Sequence, residues 1–128
     1  MLRLWCVATL DGSPVGCGGV AFFDGFAEVK RMYVRPAARR QGVAQAILAQ
    51  VEAEARAANF PVLRLETGAR QADALRLYYR YGFTECPPFG TYASLPPHTI
   101  SASIFLEKSV ALGRAEAPPS LRVAHADR

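Results

Sequence analysis

A mixed α/β domain of the α+β kind, built on one mostly antiparallel sheet with two main helices, is the fold class this sequence predicts. Three observations carry that reading. The first 34 residues hold three runs of β-forming residues joined by turns that contain Asp-Gly, a basic turn then opens a long apolar-periodic run, and a second helical run is stopped by Gly82 ahead of two more strand-like segments.

Residues 2–10 alternate in polarity and carry β-formers, Asp11-Gly12-Ser13-Pro14 supplies turn chemistry, and residues 15–23 run apolar again, which predicts a β-hairpin. Gly16, Gly18 and Gly19 weaken the second run's own strand propensity and point to a bulge or to close packing of a neighbour. Asp24-Gly25 turns the chain into a third strand over residues 27–34, completing an antiparallel meander.

Beyond Val34 comes Arg35-Pro36-Ala37-Ala38-Arg39-Arg40-Gln41-Gly42, and then Val43, Ile47, Leu48, Val51 and Ala55 recur at helical spacing as far as Asn59-Phe60-Pro61. A helix beginning has unpaired N–H groups and a partial positive charge, so a turn of this kind can hold a phosphate. Arg39 and Arg40 would add full charges, and Gly42, without a Cβ, would let a ligand approach the backbone. The same turn also reads as a plain connection in which Gly42 permits the bend and the arginines face water.

Residues 62–67 are a compact strand. Strand, helix and strand over 27–67 predict a right-handed crossover that lays 62–67 roughly parallel to 27–34. A second helix is expected from about Gln71 to Tyr81, with Asp73 in its first turn and Gly82 ending it. Residues 83–86 form a short strand, 87–99 a Pro-rich loop and 101–108 a last strand. From Ser109 the chain is rich in Ala, Pro and charge, so a domain over 1–108 and an irregular tail over 109–128 are expected.

The 128 residues suffice for one domain with a single core, and 20% charged against 51% hydrophobic residues marks a soluble globular class. A net charge of +4 suits a polyanionic ligand. Nucleic acid is not expected as a partner, because the arginines are spread along the chain without an RNA-binding or zinc-finger signature. Cys6, Cys17 and Cys86 are odd in number and lack C-x-x-C spacing, so they read as small buried hydrophobes in a reducing compartment. His98 and His125 are isolated, and no metal site is proposed. The opening apolar run is too short for a signal peptide or a membrane span, which leaves no membrane partner and a cytoplasmic default.

Two motifs decide the functional reading. R-x-x-G-x-A (Arg39, Gly42, Ala44) and A-x-x-L-Y-x-x-x-G-F (Ala74, Leu77, Tyr78, Gly82, Phe83), separated by one helix and one strand, resemble the GNAT superfamily of acetyl-CoA-dependent N-acetyltransferases over about residues 2–108. The resemblance implies that main-chain amides of Arg39, Arg40, Gln41, Gly42, Val43 and Ala44 bind the diphosphate of coenzyme A. It also implies that strand 27–34 splays from strand 62–67, that pantetheine pairs with backbone near Met32 and Val34, and that the Met32 amide receives the developing oxyanion.

Glu28 stands eleven residues before Arg39, the offset at which the histone acetyltransferase branch carries its general base; otherwise it is a strand residue facing Lys30 or an arginine. Glu66 is the fallback base, or a partner of Arg64 or Arg70. Tyr78 takes the position of the family's general acid, with a core aromatic as the bland alternative, since Leu75, Tyr78, Tyr79 and Gly82 share a helical face. Tyr79 and Tyr81 read as packing. Gln71 stands where many members carry an asparagine that touches the cofactor, and Tyr92 and His98 lie in a loop that can border the acceptor but read first as packing or solvated residues.

The family usually opens with a strand and two helices that this chain starts after. That predicts either an exposed edge along residues 2–10, inviting a partner chain or a homodimer, or a shortened or mis-started gene product. The implied activity is acetyl transfer from acetyl-CoA to a primary amine of a small molecule or peptide by direct attack in a ternary complex, with no metal and no covalent enzyme intermediate. The alternative is a coenzyme A-binding interaction module without turnover.

Overall fold

A computed structural model describes residues 3–110 and 121–127. The chain divides into two units, residues 1–63 with 109–128, and residues 64–108. Strands 3–10 and 13–23, 13–23 and 26–34, 3–10 and 121–127, and 84–85 and 103–109 pair antiparallel, and the mixed α/β class expected from the sequence holds.

In the first unit, β1 (Arg3–Leu10), β2 (Ser13–Phe23) and β3 (Phe26–Val34) form the expected meander. Leu10 pairs directly with Ser13, so the turn is the two residues Asp11-Gly12, and Pro14 lies at the start of β2 opposite Thr9, beside a register shift. Helix α1 (Val43–Ala57) packs on these strands and buries Val43, Ile47, Leu48, Val51 and Ala55, the stripe its spacing predicts. Cys6, Ala8, Val20 and Val29 also belong to this unit's core.

Gly18 allows α1 its close approach. A Cβ there would stand 2.7 Å from Ile47 Cγ2 and 2.6 Å from Met32 Sδ, distances that real Cβ atoms do not tolerate. The helix ends in a Schellman motif: Asn59 is left-handed (φ 64°), Phe60 N–H donates to the Ala55 carbonyl (2.9 Å) and Asn59 N–H to that of Arg56 (3.0 Å).

One expectation fails here. Residues from Ser109 were expected to be irregular, yet Ser109 closes β6 (Ser103–Ser109) and Leu121–Asp127 form β7, which pairs antiparallel with β1 from Leu4↔Asp127 to Leu10↔Leu121. The available signal was Leu121-Arg122-Val123, and it was weak because Val123-Ala124 breaks the alternation and the alanines carry little strand preference. The rest of the expected tail, residues 111–120 and 128, lies outside the described residues. The consequence is that the edge of β1, expected to be open, is already paired, and a homodimer through that edge would have to displace β7.

The three cysteines are free thiols, Cys6 fully buried and the other two half-buried. Burial, and then the charge of Glu54, push the Cys6 thiol up from 9.0 to about 11. The protonated form is therefore favoured by folding, so its stabilising contribution is complete below pH 9 and is lost as pH rises toward 11. About 2–3 kcal/mol is expected to disappear across that window, at about 1.4 kcal/mol per unit. Urea unfolding of wild type and Cys6→Ala between pH 8 and 11 measures it; the variant should show a shallower fall.

The second unit carries most of β4 (Val62–Gly68), helix α2 (Ala72–Arg80), the two-residue β5 (Thr84–Glu85) and β6, in the spatial order β5-β6-β4. Helix α2 also ends in a Schellman motif, with Gly82 at φ 105° and Phe83 N–H bonded to the Tyr78 carbonyl (3.0 Å). Phe89, Tyr92 and Phe105 pack ring against ring at 5.3–5.6 Å. The Pro-rich loop is more ordered than expected: Gly90–Ser94 make a 3-10 turn and Pro97–Ile100 a short helix, α3, with Pro97 in its first turn, where a missing N–H costs nothing. Among the described residues no helix is long and apolar enough to cross a membrane.

Candidate active site

Pro36 sets the geometry of the turn between β3 and α1. It excludes Arg35 from helical angles (φ −56°, ψ 139°), and Arg35 N–H donates to the Val15 carbonyl at 2.8 Å, holding the end of β3 against β2. Pro36–Ala38 form one 3-10 turn; Arg39 is then extended, Arg40 left-handed (φ 67°) and Gly42 left-handed (φ 79°, ψ 9°). Left-handed residues at such spacing bend the chain so that successive N–H groups line a concavity suited to an anion.

Two side chains brace the turn: Arg39 Nε donates to the Val34 carbonyl (3.1 Å) and Gln41 Nε2 to that of Ala37 (3.3 Å). Arg39, Arg40 and Gln41 are otherwise exposed, Ala44 is half-buried, and Val43 anchors the helix start in the core. Helix α1 has no side-chain cap and no acidic residue in its first turn. Among the described residues, the amides of Arg40, Gln41, Gly42, Val43 and Ala44 make no backbone hydrogen bond. Uncapped amides, a positive helix end, two arginines in the preceding turn and a first turn without acidic residues suit this segment to an anion.

On β3, Glu28 is 3% exposed and its carboxylate lies 3.4 Å from Lys30 Nζ. The pair sits two residues apart, on one face of the strand. Beyond it the register shifts: Gly19 faces Lys30 and Cys17 faces Tyr33, so Gly18 alone stands opposite both Arg31 and Met32. This is a β-bulge, and Arg31 occupies it in a left-handed conformation (φ 54°) uncommon for a residue with a side chain. The bulge bends β3 at Met32, whose sulfur packs over Gly18, while Val34 regains pairing with Gly16. The glycines of β2 pointed to a bulge, and it lies opposite Gly18; that Arg31 is the left-handed residue was not announced, since arginine has no left-handed preference.

In the second unit, Tyr78 is the buried residue of α2, packed edge-on against Phe83 at 5.8 Å. Burial raises the pKa of its hydroxyl above 10.0, so the ring holds its proton through neutral pH. Tyr81 stacks on Phe83 and under Lys108, as packing requires, whereas Tyr79, also read as packing, is 44% exposed. Gln71 is exposed at the N-cap of α2, bonded through its backbone to Gly68 and Leu75. Glu66 accepts from Ser103 Oγ (2.6 Å), while Arg64, one of the two partners expected for it, pairs with Glu107 (3.2 Å). Tyr92 belongs to the aromatic cluster and His98 is exposed on α3.

The model of the Acetyltransferase (GNAT) family matches residues 2–83, a span holding the meander, the basic turn, α1, β4 and α2. The chain belongs to the GNAT family. An IAA acetyltransferase of Azospirillum brasilense is 43% identical over 104 residues, which are 80% of this chain and 65% of that protein. The chain spans less than two thirds of the length of the curated relatives it matches. A Klebsiella pneumoniae structure assigned to the acyl-CoA N-acyltransferases is 36% identical, with a TM-score of 0.71 over 83% of this chain and 73% of its own. The PaiA N-acetyltransferase of Thermoplasma acidophilum, solved with coenzyme A, shares the GNAT fold at 17% identity and a TM-score of 0.71, covering 85% of this chain and 62% of its own.

Proposed function

We propose that the protein is an N-acetyltransferase that moves an acetyl group from acetyl-CoA to a primary amine of a small molecule or peptide, by direct attack in a ternary complex. The observation that carries this is the uncapped start of α1, with left-handed Arg40 and Gly42 shaping a concave run of amides beside two arginines. The donor set fits a diphosphate: α1 begins without a side-chain cap, and no acidic residue stands in its first turn. A thioester supplies the activated acyl group.

The roles of the chain's residues follow. Amides of Arg40 to Ala44 hold the diphosphate, while the Arg39 amide, expected to join them, donates to the Pro36 carbonyl (3.3 Å); backbone near Met32 and Val34, where the bulge interrupts the regular ladder, pairs with the pantetheine arm. The Met32 N–H is the donor for negative charge developing on the carbonyl oxygen. Glu28 takes a proton from the acceptor ammonium, directly or through water; its position beside Lys30 keeps a buried carboxylate balanced by a cation. Tyr78 gives a proton to the departing sulfur, a role suited to a hydroxyl that burial keeps protonated. Gln71 lies at a helix start where its amide is free to meet the cosubstrate.

The test is thiol release from acetyl-CoA against a panel of primary amines. Turnover with at least one amine is expected, and Tyr78→Phe should lower kcat about tenfold, a modest factor because a thiolate leaves without much help. Coenzyme A binding without turnover on any amine would instead leave a binding module.

A further inference from the structure

The bulge in β3 has a result that the acyl-transfer chemistry does not use. Neighbouring residues of a regular strand point to opposite faces. With Arg31 turned left-handed, Lys30 and Arg31 both line one cavity of about 70 Å³, together with Trp5, Gly19 and Ala21. Trp5 is the chain's one tryptophan. Its indole lies against β2 because residue 19 has no side chain: a Cβ there would be 2.9 Å from Trp5 Cε3. The Arg31 guanidinium sits over the indole, 5.6 Å from the ring centroid. A guanidinium stacked by its face keeps its in-plane N–H groups for an acceptor at its edge.

Among the described residues the cavity is thus lined by two cations and no carboxylate; Glu28, whose oxygen is 3.4 Å from Lys30 Nζ, stands outside the lining. The volume accommodates a small anionic head group and not a whole ligand. The bulge that interrupts the ladder for the pantetheine arm also turns Arg31 toward this cavity, through a backbone conformation uncommon for a residue with a side chain.

We infer that this cavity binds the carboxylate of the acceptor, so that the preferred acceptors are amines bearing a carboxylate, with Lys30 and Arg31 as its cations and the Trp5 face as its wall. The inference rests on the acyl-transfer reading above for the amine, and on the cavity alone for the carboxylate. It places the anionic group beside Glu28, so a carboxylate held at Lys30 and Arg31 orients a nearby amine toward the base.

Trp5 reports binding directly. Its fluorescence is followed as the full chain is titrated with phenylalanine and phenethylamine, and with lysine and cadaverine, each pair differing by one carboxylate. A saturable change is expected with the amino acids and not with their decarboxylated partners. Arg31→Gly, which suits the left-handed backbone and so preserves the fold, and Lys30→Met should each weaken the amino acid's response ten- to a hundredfold, the usual range for charge-assisted hydrogen bonds. The ratio of kcat/KM for phenylalanine over phenethylamine should fall by a similar factor in Arg31→Gly. Equal responses within each pair, or a ratio unchanged by Arg31→Gly, overturn the inference. Coenzyme A binding without discrimination within pairs overturns it alone; discrimination without coenzyme A binding supports the carboxylate site and removes the acyl-transfer reading.

Discussion

Glu28→Gln is expected to lower kcat for amine acetylation by a hundredfold or more near neutral pH, while coenzyme A binds within about threefold of wild type. The substitution keeps the size of the side chain and removes the one property a base needs. Because Glu28 is 3% exposed and paired with Lys30, some loss of stability accompanies it, about 1–3 kcal/mol with the lysine side chain still 34% exposed. Urea unfolding measures that loss separately, and steady-state kinetics at a temperature where both proteins are folded measures the rate. If the rate holds while stability falls, Glu28 is a structural partner of Lys30 and the base lies elsewhere.

The second large effect belongs to the turn before α1. Gly42→Ala should raise the Kd for coenzyme A tenfold or more, because a Cβ at φ 79° is strained by about 1–2 kcal/mol and the first-turn amides must shift to relieve it. Arg40→Ala should weaken binding by a smaller factor that shrinks as salt is added, since an exposed charge acts through a screened field. Calorimetry at 20 and 300 mM salt separates the two: the Gly42 effect persists, the Arg40 effect fades. A Gly42→Ala protein that binds as wild type would mean that the backbone shape of this turn is irrelevant to the ligand.

Residues whose role follows from local chemistry were legible in the sequence. Asp11-Gly12 and Asp24-Gly25 announce turns, the spacing of Val43, Ile47, Leu48 and Val51 announces α1, and Gly82 announces the stop of α2, each by an intrinsic preference that the structure keeps. The glycines of β2 were legible as a bulge or a close neighbour, and Gly18 serves both, standing opposite the bulge and making room for Ile47 of α1.

What stayed hidden depends on partners distant in sequence. Strand β7 is built from a run that alternates imperfectly and holds two alanines of low strand preference, and it pairs with β1 more than a hundred residues earlier. The left-handed Arg31 contradicts local preference, and such contradictions arise where surrounding structure overrides it. The Lys30–Arg31–Trp5 grouping therefore could not be read from composition or spacing, although its three members are plain in the chain.

The most direct measurement is a titration of the ¹⁵N-labelled chain with coenzyme A, following backbone amide shifts. If the start of α1 grips the diphosphate, the amides of Arg40, Gln41, Gly42, Val43 and Ala44 move most, and pantetheine, which lacks the diphosphate, leaves them in place. Shifts centred on other residues while these five amides stay still would contradict it.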